Sequence, residues 1–526
     1  QRWLCQIGVR YPLVQGGCGH APDDSRFCQT VLQITYMLST RRVAPRQKGC
    51  SASSSPGTRL HEVSPACRSV DRHDLVGTDA AVERWKAIAS DPDAKYDDIV
   101  TYKAEDIAPT VTWGINPGQA IFIHENVPSA NEVPEKDRAT AEEALAHSAR
   151  LTDIIHQAIA LEQGAIPFAR FMELALYAPG LGYYSAGARK FGAEGDFVTA
   201  PELGGGFAHA LAQAGAGVLA QIEGEGIWFE IGAGTGALAE KTLKCLQKLG
   251  RLPAAYWILE PSADLRERQH THLQASLPPE LFARCLWLDA PPEQPWQGVL
   301  VANEVIDALP ATRFIKEEGE VFEECVALDA KQQFARVMRP ADALVSGAVR
   351  HLERYLQREF EEGYCSEVLP QLPYWIQAVA GTMRRGAMLF IDYGYARGEY
   401  YVPERDDGTL ICHYRHRAHG DYFVWPGLQD LTASVDFTAL AEAGTSAGFQ
   451  LAGYCSQSSF LLANGLAEYI AGYESGMDEV ARYRESQMVK KLILPGEMGE
   501  RFQFMGFARG VDFSAAFAQG DLSYRL

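Results

Sequence analysis

The chain has 526 residues, 47% of them hydrophobic, with a formal net charge of −19 and a pI near 5.2. That length allows two or three domains. The acid excess argues against a nucleic-acid binder, which is normally basic, and no apolar run approaches the roughly 20 residues that a membrane helix needs. An acidic surface attracts cationic partners such as Arg- or Lys-rich proteins, and it also simply keeps a large chain dissolved.

In chain order, residues 1–70 stand apart. They carry nine Lys or Arg against three acids, with many Ser. This composition suits a disordered or non-native leader over 1–74, or an organelle transit peptide. Of eleven cysteines, Cys5, Cys18, Cys28, Cys50 and Cys67 fall in this stretch, without C-x-x-C pairs, and the other six are isolated. Scattered thiols suggest a reducing compartment and no metal site. Over 75–145 we expect a helix at Thr78–Ser90, a short strand from Asp97, and a turn-rich loop, Val111-Thr-Trp-Gly-Ile-Asn-Pro-Gly-Gln.

Leu151 to Gln163 has apolar residues at helical spacing, with Gly164 placed to stop it, and Phe168 to Leu176 forms a second helix halted by Pro179-Gly180. The Gly- and aromatic-rich loop Gly182–Glu202, which includes Asp196, Thr199 and Pro201, reads by itself as a surface loop. Ile227 to Ile231 is then an apolar strand ending in three alternating glycines, Gly232, Gly234 and Gly236, before a helix from Ala237. Glycines suit a turn where backbone must approach a ligand closely. Gly232, Gly234 and Ala237 also fit the dinucleotide fingerprint. Glu230 precedes the turn, and the next apolar run, Tyr256–Leu259, ends in Glu260, an acid placed to accept both ribose hydroxyls of an adenosine. Alternating strands and helices over 226–310 predict a parallel sheet covered on both faces, with Glu260, Asp289 and Asn303 at strand ends, where ligands bind. Asp289 also reads as a turn acid or helix cap. A mixed insertion over 313–385 follows, then a buried strand at Ala387–Tyr395, a Tyr-, His- and Arg-rich loop over 400–426, a helix capped by Asp436, and strands at Phe449–Tyr454 and Phe502–Arg509.

Glu230-x-Gly-x-Gly-x-Gly followed by Glu260 resembles the class I S-adenosylmethionine (SAM) methyltransferases. Flanking stretches narrow the resemblance to the MidA-like family, which includes the mitochondrial complex I assembly methyltransferase: Pro167-Phe-Ala-Arg-Phe-Met-Glu, Tyr177-Ala-Pro-Gly-Leu-Gly-Tyr-Tyr, Gly195-Asp-Phe-Val-Thr-Ala-Pro-Glu, Ala302-Asn-Glu-Val-Ile-Asp-Ala-Leu-Pro, Ile391-Asp-Tyr-Gly-Tyr and Pro426-Gly-Leu-Gln-Asp-Leu-Thr. It spans about residues 150–526. The D-L-T-A-x-V-D-F pattern is kept at Asp430–Phe437, while Gly204-Gly205 stand where relatives often have bulkier residues. Residues about 75–145 resemble a fragment of the isopropylmalate isomerase large subunit, an aconitase-type enzyme, around Val111–Gln119. The cluster-binding cysteines of such enzymes do not appear here, so a fusion remnant or an assembly join near residue 145 is the expectation.

The resemblance implies a Rossmann-like seven-stranded α/β sheet (226–526) under a helical lid (146–225), behind an appendage of uncertain order. SAM is the implied cofactor, held by Glu230, Gly232, Gly234, Gly236, Glu260, Asp289, Thr199 and Pro201, with no metal. It also implies a protein acceptor, in the family's case an arginine on a complex I subunit, in the mitochondrial matrix of a eukaryote or the cytoplasm of a bacterium. Asn303, Glu304 and Asp307 are then the catalytic candidates, since a carboxylate pair suits a guanidinium fork. Alternatively, Glu304 and Asp307 stabilise a helix N-terminus. His413, Tyr414, Arg415 and His416 are further candidates for the cleft. A small-molecule methyltransferase and a SAM-binding assembly protein without turnover remain the other readings.

Overall fold

Neighbouring residues in the central strands point to opposite faces, and both faces are apolar, so the middle of the chain folds as a sheet buried on both sides. The computed structural model describes residues 110–112, 120–122, 135–186, 200–414, 417–472 and 478–526. The helix expected at 78–90, the strand near 97, Asp196 and Thr199 lie outside the described residues. The chain divides into two units, Gln1–Arg138 and Ala139–Leu526. The first contains an antiparallel hairpin of Thr110–Thr112 and Ala120–Phe122, which flank and overlap the stretch read as a loop, Val111–Gln119. Helix α1 runs Glu135–Leu161, and no described helix is long and apolar enough to cross a membrane.

In the second unit, strand β1 (Ala165–Pro167) leads into α2 (Phe168–Tyr177). Phe168, Phe171, Met172, Ala175 and Leu176 recur at helical spacing and are buried, which is why this stretch is a helix. They pack with Leu151, Ile155 and Ile159 of α1. After α3 (Gly206–Leu219) the sheet begins with β2 (Ile227–Ile231), α4 (Ala237–Lys248), β3 (Ala255–Leu259), α5 (Ala263–Ser276), β4 (Cys285–Leu288) and β5 (Trp296–Asn303). Next come β6 (Thr312–Glu317), β7 (Glu320–Leu328), β8 (Phe334–Pro340), α6 (Ala343–Leu356), β9 (Cys365–Val368) and α7 (Leu372–Ala380). The chain returns to the sheet with β10 (Met383–Tyr395). It then makes β11 (Ile411–Tyr414), β12 (Arg417–His419), β13 (Asp430–Thr432), β14 (Val435–Asp436), α8 (Phe437–Ser446) and β15 (Gln450–Ser456). Helices α9 (Gln457–Ala463), α10 (Leu466–Ala471) and α11 (Glu479–Ile493) precede the last strand, β16 (Phe502–Arg509).

The main sheet has the order β15-β16-β10-β5-β2-β3-β4, with β14 adding a two-residue pairing to β10. β16 runs antiparallel between its parallel neighbours, so the seven strands match the expected class. Trp228, Val299, Leu389 and Phe504 face one core beneath α3 and α4, while Phe229, Leu300, Phe390 and Met505 face another beneath α7 and α8. Asp436 caps α8 as expected, its carboxylate accepting hydrogen bonds from the Thr438 and Ala439 amides at 3.0 and 3.1 Å.

The insertion resolves into an antiparallel sheet, β8-β7-β6-β9, to which β1 adds a fifth strand beside β7. α7, read as part of the insertion, instead buries Leu372, Ile376 and Val379 against the main sheet. The region read as a loop over 400–426 supplies β11 and β12, which join β13 in a small sheet of order β12-β11-β13, with Cys412 buried among residues of α1 and α2.

Candidate functional site

A cavity of about 690 Å³ opens at the carboxyl ends of the parallel strands, where this topology places ligands. Gly232 and Gly234 line it, at φ of +68° and +53°, a left-handed backbone that favours glycine. Gly236, at φ +83°, is the N-cap of α4 and lies outside the cavity wall, so its part is to turn the chain into the helix.

Glu260 sits at the end of β3 and is buried. It accepts the Ser262 amide at 3.0 Å and the Gln269 side-chain amide at 3.1 Å. That same Gln269 nitrogen reaches the Gly234 carbonyl at 3.0 Å, and the Gln269 oxygen accepts the Trp287 indole N–H, also at 3.0 Å. Gln269, which sequence reading passed over, thus ties the glycine turn to the acid beside it. Replacing it with Leu leaves the Glu260 oxygen and the Gly234 carbonyl without this donor. A roughly tenfold loss of SAM affinity, read by calorimetry, is the expected result. Unchanged affinity would show that the turn holds its shape alone.

Glu230 is buried in the wall and accepts the Tyr256 hydroxyl at 2.6 Å. Burial pushes its carboxyl up to about 7, against the pull of that hydrogen bond. Asp289 lines the rim, but its side chain is 90% exposed and pairs with Arg266 at 2.6 Å. Pro201 lines the cavity as well, and its carbonyl accepts the Lys241 ammonium at 2.6 Å, as does that of Gly204 at 2.8 Å. The unusual glycines beside it have a packing reason. A Cβ at Gly204 would lie 2.2 Å from a Glu485 oxygen, and one at Gly205 2.2 Å from the Tyr469 hydroxyl. Glu485 in turn accepts the Gly205 amide at 3.0 Å.

Asn303, Glu304 and Asp307 come together in the same wall. Residues 304–309 form a turn rather than a helix, which corrects the helix-dipole alternative: there is no helix here for the acids to stabilise. Glu304 adopts φ +54°, uncommon for a residue with a side chain and typical of functional sites. The turn is held from three sides. The Asp392 carboxylate accepts the Ile306 and Asp307 amides at 3.1 and 3.2 Å, the Asp307 carbonyl accepts the Ala433 amide at 2.9 Å, and the Ala308 carbonyl accepts the Tyr177 hydroxyl at 2.9 Å. The Asn303 amide donates to Glu304 at 3.0 Å. Asn303 Oδ1 and Asp307 Oδ1 are buried and accept no hydrogen bond. Burial, reinforced by Asp307, pushes the Glu304 carboxyl up to about 8. Burial also raises Asp307 and Asp392.

Several lining residues escaped sequence reading. Tyr184 donates to Asp430 at 2.9 Å and stacks on Tyr177, their ring centroids 5.6 Å apart. Both hydroxyls remain protonated because burial raises their pKa. Tyr393, Trp375, Met498 and Arg501 complete the wall. Of the four further candidates, His413 lines it, Tyr414 does not, and Arg415 and His416 lie outside the described residues.

This wall fits SAM. Glycines 232 and 234 leave room where side chains would stand, and Glu260 supplies an acid at the second strand end. The comparisons agree. A family model described as "Putative S-adenosyl-L-methionine-dependent methyltransferase" matches residues 210–455. A protein of Burkholderia thailandensis solved with S-adenosyl-homocysteine bound is 43% identical, with a TM-score of 0.68, over 73% of this chain and 98% of its own. An uncharacterised protein from the same organism, solved in native form, is 42% identical with a TM-score of 0.66, at the same coverage. An aconitase-family model matches residues 68–167. The 3-isopropylmalate dehydratase large subunit of Thermus thermophilus is 61% identical over 146 residues, and that of Crocosphaera subtropica 45% over 141. The match spans only 29% of the Thermus protein's length. From about residue 140 onward the chain belongs to the family of SAM-dependent methyltransferases that includes these Burkholderia proteins, and it carries ahead of that a segment similar to a dehydratase large subunit.

Proposed function

We propose that this enzyme methylates a side-chain nitrogen of a protein, an arginine guanidinium above all. The observation that carries the reading is the acidic floor beyond the glycine turn, where Glu304, Asp307 and Asp430 line one cavity beneath two lid tyrosines. Among the described lining residues, Arg501 is the one arginine and there is no lysine. Such a surface selects a cation, and carboxylates flanking it suit a planar fork of N–H donors.

SAM supplies a methyl group already activated on a sulfonium. In this reading the glycine turn holds its methionine part, Glu260 the ribose and Asp289 the adenine edge, while Pro201 closes one side. Asp307 and Glu304 orient the acceptor. Glu304, whose affinity for a proton is raised, also receives the proton the nitrogen gives up as it gains carbon. Tyr177 and Tyr184 keep bulk water from the reacting atoms. A complex I subunit is the acceptor that the family resemblance points to.

The test is transfer of labelled methyl from SAM to arginine-containing peptides, followed by amino-acid analysis. Methylarginine is expected. Label on a small metabolite, or none with SAM bound, would replace this reading by a small-molecule enzyme or by an assembly protein. A pH dependence follows. A guanidinium needs Glu304 ionised, whereas the free enzyme holds that proton up to about pH 8. Peptide affinity therefore rises with pH, by up to roughly tenfold per unit, and levels off near 8. Fluorescence anisotropy from pH 6 to 9 would read it, and a flat profile would remove Glu304 from acceptor binding.

A further inference from the structure

A second cavity, of about 460 Å³, lies behind the acidic floor, between α6, α7 and α8. Asp307 and Leu309 line both spaces, so the wall between them is the turn that carries the catalytic candidates. That wall is fixed rather than soft: Asp392 holds the Ile306 and Asp307 amides, and Gln371 donates to the Pro310 carbonyl at 2.5 Å. Most of the lining is aliphatic, with Leu352, Val368, Leu372 and Ala443 among it.

The polar groups of this cavity are largely engaged with one another. The buried Arg397 spends its Nε on Asp436 at 3.1 Å and its two terminal nitrogens on Glu442 at 2.8 and 2.6 Å. Its other lining acids are Glu367 and Asp307. Glu367 takes Arg313 and the Thr409 amide. Four acids thus line the cavity with Arg397 and His351, and both of these are engaged with Glu442, His351 at 3.0 Å, so the lining offers a fatty acid, a nucleotide or another anionic ligand no uncommitted partner. Apolar walls, an excess of acid and a border shared with the acceptor site suit one occupant: a bulky apolar side chain on a neutral or cationic polypeptide.

We propose that this cavity is a specificity subsite, which receives a large apolar residue flanking the residue to be methylated. The idea rests on the acceptor's being a protein. An extended strand carries side chains at about 3.3 Å per residue, so in this proposal residues a few positions apart straddle the one turn that divides the two spaces. Selection would then require two features at once, a cation for the floor and an apolar neighbour for the pocket behind it.

The probes are fluorescent arginine peptides of one parent sequence, with Leu, Phe or Ala placed in turn at each flanking position. Anisotropy on the S-adenosyl-homocysteine-loaded enzyme reads binding, and labelled SAM reads turnover. At one position Leu or Phe should bind roughly tenfold or more tighter than Ala. Ala439→Phe and Ala348→Phe, which fill the cavity from opposite walls, should each abolish that preference, while the Ala-containing peptide and SAM bind as before. Loss of SAM binding would mark a misfolded variant, and the other variant then carries the test. Absence of any positional preference, or a preference that survives both fillings, overturns the proposal. Apolar-dependent binding without methylarginine would keep the subsite and reject arginine as the acceptor.

Discussion

Glu304→Gln is expected to lower kcat by roughly 10²–10³-fold, the scale of losing one charged group aimed at the reacting atoms, with SAM affinity nearly unchanged. The substitution keeps the shape of the side chain and leaves an oxygen for the Asn303 amide, so the wall stays in place while its charge goes. Stability does not suffer. Glu304 in the folded chain holds its proton up to about pH 8, well above the ordinary range of a glutamate. Its favourable contribution is fully present below about pH 4.5 and is lost as pH rises through 8. Removing the titration spares the variant that loss, so at pH 8–9 it should melt no lower than the parent. Turnover at the parental rate would sink the carboxylate mechanism. An enzyme loses turnover while SAM still binds, whereas an assembly factor that merely carries SAM has no turnover to lose and keeps its protein partner.

The main sheet was legible because its signals are local. Apolar runs, the glycine turn and Asp436 before α8 each declare themselves within a few residues. The floor of the site was legible only in part. Asn303, Glu304 and Asp307 adjoin in sequence, yet spacing suggested a helix where the chain makes a turn pinned by Asp392, a residue 85 positions away. Nothing local announces that partner, nor that Tyr184 would meet Asp430, 246 positions on. Asp430 and Asp392 stood inside recognised motifs, Asp-Leu-Thr and Ile-Asp-Tyr-Gly-Tyr, without an assignable role until folding brought them beside the turn. Gln269 gave no sign at all, because its task is to join Gly234 to Glu260 through tertiary contacts. The insertion misled for a related reason: β1 completes its sheet from far upstream, so no window of sequence contains the whole element.

Gly232→Val should abolish measurable SAM binding, a loss of about 100-fold or more. The residue stands at φ +68° directly after β2, where its amide still bonds the Leu259 carbonyl at 3.0 Å. A β-branched side chain in that left-handed conformation costs on the order of 1–3 kcal/mol. Its Cβ would already be 3.0 Å from a Val305 methyl before any further carbon is added. Relief must come either from the glycine turn or from the 304–309 turn behind it, and both line the cavity. A loss of 100-fold corresponds to about 2.7 kcal/mol, which strain and displacement together supply. Gly232→Ala, with the same backbone strain and less bulk, should fall between the two. The readout is the thermal shift that SAM produces, since a ligand at 100 times its Kd raises stability by about 2.7 kcal/mol. The parent should show that shift, the Ala variant a reduced one and the Val variant none, with cofactor-free melting of all three measured alongside. A Val variant that kept the full shift would mean that SAM does not lie against this turn, and the assignment of Gly234 and Glu260 would fall with it.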